Sequence, residues 1–358
     1  MLMHLQEVSL NNYSIFLGDV FPQLNKTISS MLTSKIFVFV DENTQKYCLP
    51  YFKDKVDFDF VVIAIKSGEE NKNIETCSSL WQELLQKGGD RKSLVINLSG
   101  GVLSDMGGFV ASTFMRGISF INIPTTLLAM VDASVGGKTG VDADNVKNII
   151  GLFSFPKAVF IDPYFLNTLD KKNLLSGYAE MLKHGAVADE KYLQKLLLIE
   201  DVSSLHHHEW SDNIFGSVNI KKDIVAADPN ESGVRKILNF GHTVGHAIET
   251  ASIKDNNAIT HGHAVALGMI AEMYLSSKYF DFPLSDVSLF HQKVLSLYPV
   301  QDILSLSKQN IIDLMMYDKK NEQGEVKFSL LKNFGETVYD ITVCENDISA
   351  ALDYLFLL

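Results

Sequence analysis

The chain has little with which to staple itself covalently. Among 358 residues there are three cysteines, Cys48, Cys77 and Cys344, and no two form a C-x-x-C pair. That argues against a disulfide scaffold or a zinc ribbon and fits a reducing compartment. Positive charge is also scarce: 31 Lys and Arg stand against 43 Asp and Glu, for a formal net charge of −12. Proteins that bind duplexes carry a basic face, so nucleic acid is not an expected partner; a small anionic substrate is, provided lysines and arginines converge locally. No apolar run reaches the about 18 residues of a membrane span. Met1–Leu10 has neither the basic nor the apolar region of a secretory signal, so a cytoplasmic location is expected.

What is present is the composition of an ordinary globular protein, 46% hydrophobic and 21% charged. The chain is long for one core, so two domains are expected. Short β-branched or aromatic runs at Ile36–Val40, Phe60–Ile65, Ser93–Asn97, Phe120–Ile123 and Ala158–Ile161 read as buried strands. Helical spacing over Ile74–Gln86, stopped at Gly88 and Gly89, alternates with them and implies a largely parallel α/β sheet. Further on the β runs fade. Helices are expected over Leu174–Ala186, Tyr192–Ile199, Asp212–Ala227, Val244–Ser252, Ala264–Tyr279 and Val287–Leu297, then a strand pair near Val326–Leu331 and a last helix over Asp347–Leu357. His206-His207-His208 reads as a solvated connection.

Two glycine-bearing segments follow strands. At Ser99-Gly100-Gly101-Val102, backbone N–H groups and a helix N-terminus could meet a pyrophosphate, although a plain tight turn would look the same. Asp41 ends an earlier strand, and Glu69 with Lys72 follows another, positions where open α/β sheets bind ligands. Gly136-Gly137-Lys138-Thr139 is not a Walker A loop: Asp132 stands where that motif needs its first glycine, and a carboxylate there repels phosphate. What remains is a turn carrying Lys138, with Lys147 and Asn148 downstream, an arrangement suited to an anion.

In the second half, Glu180 and Lys183 lie one helical turn apart, the spacing of a surface ion pair. His242 and His246 are i,i+4 on one helix face, and His261 and His263 follow. Three histidines with Glu180 can supply a mixed N/O site for Zn²⁺ with an open position, while a pair of structural histidines would show the same spacing. The metalloprotease H-E-x-x-H is absent because Thr243 takes the glutamate's place. Lys221, Lys222 and Arg235 precede the histidines and Asp318-Lys319-Lys320 follows them. With Arg116, Lys138 and Lys147 they offer enough positive charge for a phosphate and a carboxylate.

In this order, these segments resemble the 3-dehydroquinate synthase family of the sugar-phosphate cyclases. The likeness rests most on Thr125–Gly140 and on Leu238–Glu249. It implies a Rossmann-like, NAD-binding α/β domain over residues 1–172 and a mainly helical metal- and substrate-binding domain over 173–358. It further implies that Glu180, His242 and His261 hold Zn²⁺ or Co²⁺, leaving His246 for substrate. The implied NAD site is Asp41, Glu69, Lys72, Gly100, Gly101, Asp105, Thr125, Thr126, Asp132, Lys138, Lys147 and the run Phe165, Leu166, Asn167 and Thr168. The implied catalytic and substrate set is Lys138, Asn148, Lys183, Lys221, Arg235, Asn239, His246 and one of Lys319 or Lys320. In such enzymes Arg116 reaches the ligand of a neighbouring subunit, which implies a homodimer. The implied reaction converts a phosphorylated seven-carbon keto acid to 3-dehydroquinate and phosphate. Another sugar-phosphate cyclase, a metal-dependent polyol dehydrogenase and a catalytically inert binding protein are the alternatives. Ser99 and Ser104 stand where the family commonly has glycine, Asp142 where it has Asn, and His263 where it has Glu.

Overall fold

The computed structural model describes residues 4–10, 12–143, 146–255, 257–316 and 326–357. Two compact units are present: Met1–Asp170 with Leu205–Lys222, and Lys171–Ser204 with Asp223–Leu358. The stretch Leu205–Lys222 groups with the first unit, an arrangement that a single cut after residue 172 does not provide for.

The first unit contains strands β1 (Gln6–Ser9), β2 (Ser14–Leu17), β3 (Ile36–Asp41), β4 (Val61–Ile65), β5 (Leu94–Ser99), β6 (Ser119–Pro124), β7 (Lys138–Ala143), β8 (Val146–Phe153) and β9 (Ala158–Ile161). Seven of them form one sheet in the order β1-β2-β9-β6-β5-β3-β4. Only the β1–β2 pair is antiparallel; the others run parallel. Residues 36–40 and 94–99 are buried along their whole length, as strands covered on both faces must be, and this is why they read as continuous apolar runs. A buried polar pair bridges β5 and β6: the Asn97 amide donates to Asn122 Oδ1 at 2.8 Å. Because the strands are parallel, Asp41, Ser99 and Pro124 end at the same edge, the edge where open sheets of this kind take ligands. Helix Gly101–Thr113 leaves from there, and Ile74–Gln86, capped by Asn73, buries Cys77, Leu80 and Leu84.

The segment around Lys138, expected as a glycine turn, continues into a hairpin. Gly136 (φ 108°) and Gly137 (φ 69°) make the turn, and Lys138 then opens β7, antiparallel to β8. The histidine run also differs: His207 and His208 begin helix His207–Ala227 rather than extending the connection before it.

In the second unit the helix His261–Phe280 is the hub. It is buried over most of its length and packs against helices Lys171–Ala188, His242–Lys254, Leu284–Leu297 and Glu345–Phe356 and against strand β10 (Lys327–Asn333), which pairs with β11 (Glu336–Thr342). A helix apolar on all sides belongs in such a place. Helix Lys308–Met316 was not expected. No described helix is long and apolar enough to cross a membrane.

Among the buried titratable groups of this packing is His291. On helix Leu284–Leu297, His291 Nδ1 hydrogen-bonds with the Tyr354 hydroxyl at 3.3 Å, and Nε2 meets no partner among the described residues. Burial lowers its pKa below the usual histidine value. The unfolded chain therefore takes up a proton near pH 6.5 while the folded chain still resists it, so stability falls as pH drops through that window. Denaturant melts between about pH 7 and pH 5 should show the native chain losing stability relative to His291→Phe. Parallel pH profiles would contradict this.

Candidate active site

Three helices of the second unit bring four ligand-type groups together. Helix Lys171–Ala188 carries Glu180, fully buried; His242 opens helix His242–Lys254 one turn before His246; His261 opens the hub helix, capped by Thr260. Glu180 Oε1 lies 3.5 Å from His242 Nε2 and 3.3 Å from His261 Nε2. The ligating nitrogens of His242, His246 and His261 are all within 4.8 Å of one another. A tetrahedral ion with bonds of about 2.0–2.1 Å has edges of about 3.4 Å between ligand atoms, and the two glutamate–imidazole separations match such edges.

The rings are held for the task. His242 Nδ1 donates to the Phe240 carbonyl at 3.2 Å, and His261 Nδ1 donates to Glu249 Oε2 at 3.3 Å, so each presents Nε2 towards Glu180. The other carboxylate oxygen, Oε2, is ion-paired with Lys183, which is itself buried. This divided carboxylate, one oxygen to the imidazoles and one to an ammonium, suits single-oxygen ligation of a cation. Both partners are removed from solvent, so the surface pair expected from their spacing is a buried one. Burial, and next the Lys183 ammonium, push the His242 pKa down to about 3, which keeps the ring neutral and able to ligate. Burial opposes charge on His261 too, but the bonds to Glu180 and Glu249 overcome it and raise the pKa to about 10. Positive charge is thus favoured between His261 and Glu180. His263 is not part of the group: its Nε2 meets the Pro299 carbonyl at 3.0 Å and Nδ1 lies 3.8 Å from Asp302.

Leading into this helix, Asp228 organises the loop that bears the cationic and amide groups. Its carboxylate accepts the backbone N–H of Ser232, Gly233 and Arg235 at 3.0, 2.7 and 3.1 Å. Arg235 is buried and its guanidinium donates to the Pro229 carbonyl at 2.7 Å, while the Asn239 amide donates to Glu231 at 3.2 Å. Neither Asp228 nor Glu249 was singled out from sequence. For Glu249 a signal existed: seven residues after His242, it falls on the same helix face. For Asp228 the signal was the Asp-Pro start of a glycine-containing loop.

In the first unit, Lys72 is buried and ion-paired with Asp105 at 2.7 Å. Burial works against its charge, but the carboxylates of Asp105 and Glu69 outweigh it, and its pKa is raised. Glu69 sits on an exposed short turn, and Asp41 caps helix Glu42–Tyr47, accepting the Thr44 N–H at 2.7 Å. Gly100 has an ordinary backbone, and a Cβ there would lie 3.0 Å from Thr126 Cγ2, a tight contact. Gly101 begins the helix, and the Thr125 N–H bonds the Ser99 carbonyl at 2.9 Å. Phe165 and Leu166 bury their side chains, leaving only backbone to a ligand, whereas Asn167 and Thr168 are exposed, with Asn167 Oδ1 2.8 Å from His207 Nε2.

Lys138 and Lys147 are exposed, and Asn148 adopts a left-handed backbone (φ 51°) held by its N–H bond to Asp142 Oδ1 at 2.7 Å. Arg116 is exposed and also left-handed (φ 72°). Asp132 engages Lys221, whose ammonium donates to its carbonyl and its carboxylate, both at 2.6 Å. Lys319 and Lys320 lie outside the described residues.

An open, mostly parallel α/β unit together with a helical unit bearing a Glu/His cluster that could hold a cation defines the class of the molecule. Residues 62–176 match the family model described as 3-dehydroquinate synthase N-terminal, and residues 177–321 the one described as 3-dehydroquinate synthase C-terminal. The chain is 41% identical to a 3-dehydroquinate synthase of Parabacteroides distasonis, over 94% of this chain and 95% of that protein. It is 37% identical to one of Methylacidiphilum infernorum, over 94% and 93%. Among solved structures, it shares its fold with the 2-epi-5-epi-valiolone synthase of Streptomyces hygroscopicus subsp. jinggangensis, which has NAD⁺ and Zn²⁺ bound (TM-score 0.84, 24% identity, 99% of each chain). The chain belongs to the 3-dehydroquinate synthase family.

The geometry of the cation centre makes a direct prediction. Zn²⁺ at about one hundred times its Kd should stabilise the protein by about 2.7 kcal/mol, read as a rise in Tm. Glu180→Gln, which removes the carboxylate charge, should lose most of that rise. A Tm indifferent to Zn²⁺ would exclude the centre.

Proposed function

We propose that the chain is a 3-dehydroquinate synthase, a phosphate-eliminating carbon–oxygen lyase of the shikimate pathway that supplies aromatic amino acid biosynthesis. It would convert 3-deoxy-D-arabino-heptulosonate 7-phosphate to 3-dehydroquinate and phosphate. The observation that carries this reading is the joining of buried Glu180 to two imidazoles, His242 and His261, that both turn Nε2 towards it, in a chain of this family. When bound, NAD supplies reversible hydride acceptance and a divalent cation, Zn²⁺ or Co²⁺, supplies Lewis-acid polarisation of substrate hydroxyls.

The chain's own residues have the remaining work. Glu180, His242 and His261 would hold the cation, and the Lys72–Asp105 pair, Asp41 and the Gly100–Gly101 turn would fix the cofactor. Arg235 and Asn239, braced by Asp228 and Glu231, suit the substrate carboxylate and hydroxyls, with Lys183, Lys221 and His246. Lys138 and Asn148 suit the phosphate. Once the substrate is oxidised at C5, the C6 hydrogen is acidic. A phosphate oxygen takes that proton, the C–O bond breaks, and the electron pair leaves with phosphate, whose growing charge the Lys138 ammonium offsets. Ring opening and intramolecular aldol closure would then complete the carbocycle, and with the hydride given back there would be no net redox change. Position and charge, rather than a side-chain base, are what the protein supplies.

The enzyme would act in the cytoplasm as a homodimer, with Arg116 reaching the ligand of the neighbouring subunit. Mixing Arg116→Ala subunits with Lys138→Met subunits should restore part of the activity. No recovery in demonstrated mixed dimers would sink that assignment.

The function itself is tested by supplying the heptulosonate phosphate with NAD⁺ and following phosphate release and product identity. Lys138→Met should lower turnover by on the order of 10²–10³. Accumulation of free NADH without phosphate release would make the chain a polyol dehydrogenase instead.

A further inference from the structure

We propose that Glu272 is a positioning residue of the cation centre, setting where His242 stands relative to His261. This rests on the reading of Glu180, His242 and His261 as ligands. A helix begins with backbone N–H groups that have no partner within the helix, and a Ser, Thr, Asp or Asn just before the first turn usually accepts one of them. The helix that begins with His242 has no such residue: Gly241 precedes it, left-handed at φ 79°, and no side chain of the helix caps the turn. The acceptor comes from another helix. Glu272, fully buried on the hub helix, takes the Gly241 N–H on Oε2 at 2.6 Å and the Val244 N–H on Oε1 at 3.1 Å. Both oxygens of one carboxyl group thus grip the turn that carries His242, and although burial pushes the Glu272 pKa up to about 8, the backbone N–H groups at this helix start work against that rise.

The hub helix begins with His261, so one rigid element carries both a ligand and the clamp on the other ligand's helix. Glu272 follows His261 by eleven residues (272 less 261), about three turns, so the two share a face of the hub. A cap within the His242 helix would steady that helix but would not tie it to its neighbour. The two helices also meet backbone to backbone beside the clamp: a Cβ on Gly268 would stand 2.1 Å from the Gly241 carbonyl oxygen and 2.7 Å from the Gly245 nitrogen. Close approach fixes the separation of the helices at this point, and the Glu272 clamp fixes how the first turn, with His242 on it, is rotated and raised.

The test uses the full chain and its Glu272→Gln and Glu272→Ala variants, with Zn²⁺ affinity measured against a chromogenic chelator and the visible spectrum recorded after Co²⁺ loading. Both variants should bind Zn²⁺ about tenfold or more weakly and show shifted Co²⁺ bands, since outer partners of a ligand commonly carry 10- to 100-fold in affinity. Glu272→Gln keeps the side-chain volume and carries the test if the alanine variant does not fold. A lower Tm with unchanged Zn²⁺ affinity and unchanged Co²⁺ bands would make Glu272 a residue of stability alone and overturn the proposal. If the unmodified chain binds no Zn²⁺, the reading of the centre falls and this inference with it. If it binds and both variants match it, this inference alone falls.

Discussion

Glu180 has no solvent contact, and an isolated carboxylate in such a place would cost several kcal/mol. Its compensation explains much of the second unit. Lys183, one turn along the same helix, neutralises one oxygen; His242 and His261, from the starts of two other helices, face the other. For those starts to reach Glu180, the three helices must converge, and the hub helix can lie among them only because it is apolar on nearly every side. The outer partners then follow. Glu249 orients His261, the Phe240 carbonyl orients His242, and Asp228 stiffens the approach to the same helix.

The first unit answers a different constraint. The chain as a whole is acidic, at −12, yet a cofactor pyrophosphate and a substrate phosphate both need positive charge or N–H donors. The parallel sheet provides an edge where three strands end together and a helix starts, which supplies donors without spending side-chain charge. The lysines that do occur are treated differently by their surroundings. Lys72 is buried against Asp105 and Lys221 against Asp132, as fixed parts of the unit, whereas Lys138 and Lys147 stay exposed on the hairpin.

The sequence spoke most clearly where burial leaves a periodic trace. Strands β3, β5 and β9 are mostly apolar, and the second-unit helices repeat at helical spacing, so both were legible to within a few residues. Strands β1 and β2 were not. Gln6-Glu7-Val8-Ser9 has no strong pattern, and its conformation depends on pairing with β2, which in turn pairs with β9. The β7–β8 hairpin was hidden for a similar reason, since Lys138-Thr139-Gly140-Val141-Asp142-Ala143 lacks the alternation of a half-buried strand. At the cation centre, the histidines announced themselves by spacing. Glu180 and Lys183 did too, but spacing alone cannot distinguish a pair in water from one in a core. Asp228 and Glu272 left least trace, because what each does is accept N–H groups from backbone that only the fold brings near.

The central claim is that Glu180, rather than His246, completes the cation's protein ligands with His242 and His261. Anomalous diffraction at the zinc edge, from crystals of the full chain grown with Zn²⁺, tests it most directly. The account predicts one strong peak at bonding distance from Glu180 Oε1 and from Nε2 of His242 and His261, with His246 beyond that distance. A peak held by His242, His246 and His261 with Glu180 left outside would contradict it.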